Sequence, residues 1–182
     1  MSANKFLALD ANGNYVEIVA IVTSGGVVNA NEIPSTGADG RLDISFMPTG
    51  IGADTITVPA SEALQAGAWV NLFNVGGIAN ARNANATDAT KPVCGFVLAA
   101  VSQGSPATVY VRGINNAVPI GSILPASIGQ KAVLDISAGG TSITPPSATG
   151  NYMQALGPIL AVDTVHNLVT VNFSFTPGVT RG

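Results

Sequence analysis

The amino-acid sequence predicts an all-β chain: a single β-barrel or β-sandwich domain preceded by an extended N-terminal arm with short hairpins. Three observations carry that expectation. The stretch Val93–Gly113 reads as a hairpin at the centre of the domain. Roughly ten short strands with turn signals at close spacing follow one another from Thr55 onward, the pattern of a closed or sandwiched β-fold. Paired turn formers, among them Asn12-Gly13, Gly76-Gly77, Gly139-Gly140 and Pro145-Pro146, punctuate the whole chain.

The central stretch is the strongest signal. Val93 to Val101 is an apolar run without charge, too short for a full helix and suited to a strand buried on both faces. Ser102-Gln103-Gly104-Ser105-Pro106 is a loop of turn formers. Beyond it, Val109 and Val111 alternate with Thr108, Tyr110 and Arg112, the period of a half-buried strand.

The N-terminal part reads differently. Residues 4–18 predict two short strands around Asn12-Gly13, a dipeptide whose hairpin turn asks for positive φ at both positions. The motif recurs 27 residues later, where Ala11-Asn12-Gly13-Asn14-Tyr15 aligns with Ala38-Asp39-Gly40-Arg41-Leu42. Two copies are too few for a repeat fold. The double glycine of Thr23–Asn31 marks a hinge or an extended connection, and Pro48 and Gly50-Ile51-Gly52 place a boundary near residues 48–54. The expected organisation is an arm over 1–54, a β-domain over 55–176 and a tail over 177–182. Some fifty leading residues are too few to close a core alone.

Within the domain, Thr55–Val58 and Trp69–Asn74 are expected strands, with one helical turn or a wide turn at Ser61–Gly67 between them. Gly76-Gly77 turns the chain into Ile78–Arg82, and Asn83–Lys91 is a polar loop. Ile114–Gly129 reads as a Gly/Pro-rich connection. Lys131–Asp135, a brief edge strand at Thr141–Thr144, Tyr152–Leu156 and Leu168–Phe175 complete the list. In the last, Val169, Val171, Phe173 and Phe175 share one face.

Composition narrows the function. Of 182 residues, 47% are apolar and only 9% charged, against about 25% in an ordinary soluble domain. A surface so poor in charge suits a chain that lives in an assembly. Net charge is −3, with two bases and seven acids in residues 1–62 and five bases and three acids in the remainder. Lys91, Arg112 and Lys131 stand apart, so nucleic acid is not an expected partner, since phosphate binding needs clustered bases. No membrane span is expected: the uncharged interval from Asp135 to Asp163 is broken by Gly139, Gly140, Pro145, Pro146 and Gly150. MSANKFLALD is not expected to act as a signal peptide, which points to synthesis in a cytoplasm.

No catalytic signature emerges, and no enzyme, cofactor or metal is expected. Asp163-x-x-His166 has the spacing of a triad fragment, but no nucleophile elbow accompanies it. One histidine and Cys94 cannot furnish the ligands of a zinc site. Asp10–Asn14 departs from a calcium loop, with glycine fourth instead of sixth. Glu62, Asp88, Asp135 and Asp163 are scattered, unlike the paired acids of a glycosidase. Trp69 is expected in the core, not as a sugar platform, and Cys94 as a buried small hydrophobe.

Residues 33–67 carry a resemblance. Ile33-Pro34, Asp39-Gly40-Arg41-Leu42-Asp43 and Ser45-Phe46-Met47-Pro48 resemble a connector of tailed-bacteriophage structural proteins. Gly50–Thr55 and Ala60–Gly67 resemble the entry to the β-domain of phage head decoration (cement) or head-fibre proteins. The likeness continues through Gly95–Val101 and Ala107–Tyr110. Ala68-Trp69 departs from it, where relatives often carry a polar residue. The resemblance implies a virion protein on the outer surface of the capsid, with the major capsid protein and its own copies, as a homotrimer, for partners. Residues 1–54 would be the capsid-binding arm, with Leu42, Ile44, Phe46, Met47 and Ile51 as apolar docking candidates. The rival readings are a head-fibre or tail-associated module that adheres to a host surface or glycan, a tail component and a polysaccharide-cleaving enzyme.

Overall fold

A computed structural model describes residues 5–38, 40–47 and 54–182. The chain divides into two compact units, residues 1–52 and 53–182. Among the described residues there are fourteen strands, three short 3-10 turns and no α-helix, so the all-β expectation holds.

The first unit opens with a hairpin of β1 (Lys5–Leu9) and β2 (Tyr15–Val19), paired from Lys5↔Val19 to Leu9↔Tyr15. Asp10 shapes its turn. The Asp10 N–H donates to the Asn14 carbonyl at 2.9 Å and Gly13 donates back to Asp10 at 3.0 Å. The N–H groups of Asn12 and Asn14 both donate to Asp10 Oδ1 at 2.8 Å. Only Gly13 takes positive φ (81°), so the loop is a tight turn followed by a left-handed bulge residue, not the two-residue turn expected from Asn-Gly. The second copy of the motif builds the same loop: Gly37 donates to Arg41 at 2.8 Å, Gly40 donates to Gly37 at 3.0 Å, and Gly40 has φ 74°. Its flanks are not paired as strands. A parallel bridge Ile21↔Pro34 and 3-10 turns at Gly26–Asn29 and Ile44–Phe46 complete the described part of the unit.

The second unit holds two five-stranded antiparallel sheets. The first contains β3 (Thr55–Pro59), β4 (Trp69–Val75), β5 (Ile78–Asn83), β6 (Gly95–Phe96) and β7 (Pro106–Tyr110), in the order β3-β7-β6-β4-β5. The expected central hairpin is therefore central, with β6 between β4 and β7. This sheet rolls until Ala60, just past β3, bridges Ala81 of β5, and Ser61 N–H donates to the Ala81 carbonyl at 2.8 Å. A single bridge does not close a barrel. Val58, Leu64, Val70, Ala81, Val97, Ala107 and Val109 fill the inside of the roll.

The second sheet contains β8 (Gly113–Pro119), β9 (Lys131–Leu134), β10 (Thr141–Ser142), β12 (Ala155–Asp163) and β13 (Leu168–Phe173), in the order β10-β9-β12-β13-β8. Its apolar face, with Val118, Leu134, Leu156, Ile159, Val169, Val171 and Phe173, meets Trp69, Phe96 and Tyr110 from the first sheet. Phe96 and Phe173 pack about the Trp69 ring at centroid distances of 5.7 and 5.3 Å. Alternation along β4 thus sends Trp69 to one core and Val70 to the other. A two-stranded ribbon of β11 (Tyr152–Met153) and β14 (Val179–Thr180) includes part of the C-terminal stretch 177–182.

Four local expectations are corrected. The run Val93–Val101 is a two-residue strand with irregular flanks, because the chain bends at Leu98-Ala99 and regains pairing only at Val101 with Leu64. Ile114–Gly129 is not all connection: β8 lies within it. The strand expected at Tyr152–Leu156 is split: Tyr152–Met153 pairs in β11, while β12 starts at Ala155 and runs on through paired Gly157 and Pro158 to Asp163, with register shifts at Leu156 and Leu160. Phe175 lies beyond β13 and is exposed. At Ser61–Gly67, of the two forms expected, the wide turn is the one found.

Candidate functional site

The first unit leaves an unusual amount of apolar surface uncovered. Direct cross-strand pairs share a face. Leu7, Leu9, Tyr15 and Val19 therefore lie on one face of the hairpin, and Phe6, Ala8, Val16 and Ile18 on the other. Leu7 is 72% exposed and Tyr15 78%, and Val27 and Val28 in the glycine-rich stretch reach 92% and 82%. The two charged side chains on its strands, Lys5 and Glu17, bond each other at 2.5 Å. A two-stranded ribbon alone is marginally stable in water, and one that is apolar on both faces has reason to be covered.

Leu42 and Met47 are exposed, 45% and 42%, and Phe46 is half-buried. Ser45, beside them, is held by Asp43: its N–H donates to Asp43 Oδ1 at 2.9 Å. The Ser45 hydroxyl, then its N–H, hold the Asp43 carboxyl below its ordinary range. The side chain of Ile44 and all of Ile51 lie outside the described residues. Sequence reasoning missed the hairpin residues and Val27-Val28. The signal was available, since β1 and β2 read apolar on successive residues where one-sided burial would alternate.

The titratable groups singled out from the sequence all serve structure. His166 sits in the β12–β13 turn, with Nδ1 2.7 Å from Asp163 Oδ2. The N–H groups of Val165 and His166 donate to Asp163 Oδ1 at 2.9 and 3.0 Å. The His166 N–H, then its ring, hold the Asp163 carboxyl below the usual range. Asp88 does the same for Thr90, and Asp135 accepts from the Ser137 hydroxyl at 2.6 Å. Glu62 Oε1 accepts from the Asn83 N–H at 2.6 Å and pins the end of β5. Asp54 is paired with Arg112. No group of three His, Cys, Asp or Glu able to hold a metal exists among the described residues. Trp69 is fully buried, with Nε1 donating to the Thr141 hydroxyl at 2.5 Å. Cys94 is half-buried, 3.8 Å from Asn71 Nδ2.

The first sheet also carries an open groove of about 590 Å³ between β7 and the bend at Leu98–Ala100, lined also by Ser102, Ser105 and Tyr110. No Lys, Arg, Asp, Glu or His lines it.

No protein-family model matches the chain. No curated protein matches it either. Among solved structures it is similar to the crystal structure of the head fiber gp8.5 N base of bacteriophage phi29. The match has 13% identity and a TM-score of 0.43, over 66% of this chain and 92% of that one.

Proposed function

We propose that this chain is a structural protein of the tailed-phage virion: a decoration (cement) protein that docks residues 1–54 on the outer surface of the head. There it bridges neighbouring subunits of the major capsid protein. One observation carries the reading: apolar side chains stand exposed on both faces of the β1–β2 hairpin and at Val27-Val28. A shell offers extended protein surface to cover them. Scarcity of charge removes the repulsion that keeps soluble proteins apart, and the resemblance of residues 33–67 to phage head proteins supports a capsid as the partner. The surplus of acids in residues 1–62 favours a docking surface with basic character.

A stable contact of this kind buries about 800 Å² per partner. In a homotrimer three linked arms would raise avidity by about 10²–10⁴ over one. Bridged capsid subunits separate less easily under internal DNA pressure. The test mixes undecorated heads with the full chain or with its Leu7→Ser/Leu9→Ser/Tyr15→Ser form and follows co-sedimentation and the temperature of DNA release. Binding and a raised release temperature are expected only with the unaltered chain. Equal binding by both forms, or heads no more durable when decorated, overturns the reading.

A further inference from the structure

We infer that the groove beside β7 is a binding site for a neutral saccharide. Its backbone edge follows from register. Ala60 N–H donates to the Ser105 carbonyl at 2.9 Å and Val111 N–H to the Asp54 carbonyl at 2.8 Å. With Thr57 opposite Thr108, antiparallel alternation places Thr108 at a position whose N–H and C=O point away from β3. On that other side β6 meets β7 only at Phe96↔Tyr110, because the chain bends away at Leu98-Ala99. The ladder opens there, and Thr108 presents one unpaired donor and one unpaired acceptor to the groove.

Side chains complete the site. The hydroxyls of Ser102, Ser105, Thr108 and Tyr110 line the groove, and none of them is hydrogen-bonded within the chain among the described residues. The Tyr110 ring stacks on Phe96 at 5.3 Å with 15° between planes, and Phe96 is itself locked between Trp69 and Phe173. One face of Tyr110 is thus covered by Phe96 from β6, which fixes the side chain where it lines the groove. Ala99 and Ala100 keep the facing wall low and exposed.

The chemistry selects the ligand. A volume of about 590 Å³ is within the range of small-ligand sites. Four unused hydroxyls, one free N–H and one free C=O beside apolar Leu98, Val101 and Pro106 match a molecule bearing many hydroxyls on an apolar ring. No cation lines the groove to reward a carboxylate, sulfate or phosphate. A peptide strand would find one usable residue, since Pro106 has no N–H to donate. The groove would serve a virion-surface protein whether or not its leading segment docks to a shell.

The test applies the full chain to an array of glucose-, galactose-, mannose- and N-acetylglucosamine-terminated glycans beside sialylated and sulfated ones, and follows hits by calorimetric titration. Binding confined to neutral glycans is expected. Ala100→Trp, which fills the groove from an exposed position, and Thr108→Val, which removes a hydroxyl, should each weaken it by about tenfold or more. Both variants should keep the parent's melting temperature. Silence across the array, a preference for acidic glycans, capture of strand-forming peptides instead, or hits that survive both substitutions would each overturn the site.

Discussion

Gly67 shows how little freedom some residues have. Its φ is +77°, and a Cβ there would sit 2.0 Å from the Ala117 carbonyl oxygen. That carbonyl belongs to β8 of the second sheet, so a side chain would push β8 away from the segment that leads into β4. Gly67→Ala should cost about 3 kcal/mol or more, from backbone strain and overpacking together, read as a lower urea midpoint. An unchanged midpoint would show that β8 shifts freely. Gln154 is the second such residue. It is fully buried, its Oε1 accepts from the Val93 N–H at 2.6 Å, and its Nε2 donates to the carbonyls of Val93 and Thr176 at 3.0 and 2.9 Å. Gln154→Leu keeps the volume but strands those backbone groups, at about 1–3 kcal/mol for each one left unsatisfied. Melting in denaturant measures it, and a neutral outcome would mean water takes the place of the amide.

At the scale of elements, turns that rest on aspartate tie stability to pH. Asp10, Asp43, Asp88 and Asp163 all have carboxyls held below the ordinary range by hydrogen bonds in the folded chain. A depressed folded-state pKa contributes stability that is complete above the unfolded-state value and disappears as pH falls through the folded one. Melting temperature should therefore be flat above about pH 5 and fall below about pH 4. The Asp88→Asn/Asp163→Asn form should lose part of that slope; a slope identical to the parent's would place the acid sensitivity elsewhere.

The same scale separates what the sequence made legible from what it concealed. Asn12-Gly13 and Gly76-Gly77 announced their hairpins because glycine's φ preference acts locally, whatever surrounds the turn. Strand β8 stayed hidden because it inverts the usual rule: Ile114 is 55% exposed while Asn115 is fully buried. Asn115 is satisfied by the Gly67 carbonyl, to which its Nδ2 donates at 2.9 Å, and that partner lies 48 residues away. Only the tertiary fold could reveal it. β12 was curtailed for a related reason, since Gly157-Pro158 reads as a break until its pairing with Ala132 and Lys131 of β9 is seen. Trp69 was assignable to the core from the apolar text around it. The groove was invisible, because its defining feature is a ladder that stops being paired after Phe96.

For the molecule as a whole, both apolar cores draw, among the described residues, on residues from Val58 to Phe173. The second unit therefore contains its own means of folding, and a chain lacking residues 1–52 should still unfold cooperatively. Such a truncated chain should no longer co-sediment with phage heads; retained binding would move docking to the β-unit. Light scattering of the full chain at micromolar concentration should give a mass of three chains if the homotrimer is right, and a monomer removes it. The two experiments probe different surfaces, so either can fail alone.

Cys94 is the sole thiol of the chain and directly precedes β6, the innermost strand of its sheet. A covalent sulfhydryl dye added in brief pulses would mark molecules at the rate at which that strand loosens. Isolated protein and protein seated on a particle could then be timed with the same clock, without any engineered label. Slower marking on the particle would reveal how far attachment steadies the sheet that holds β6.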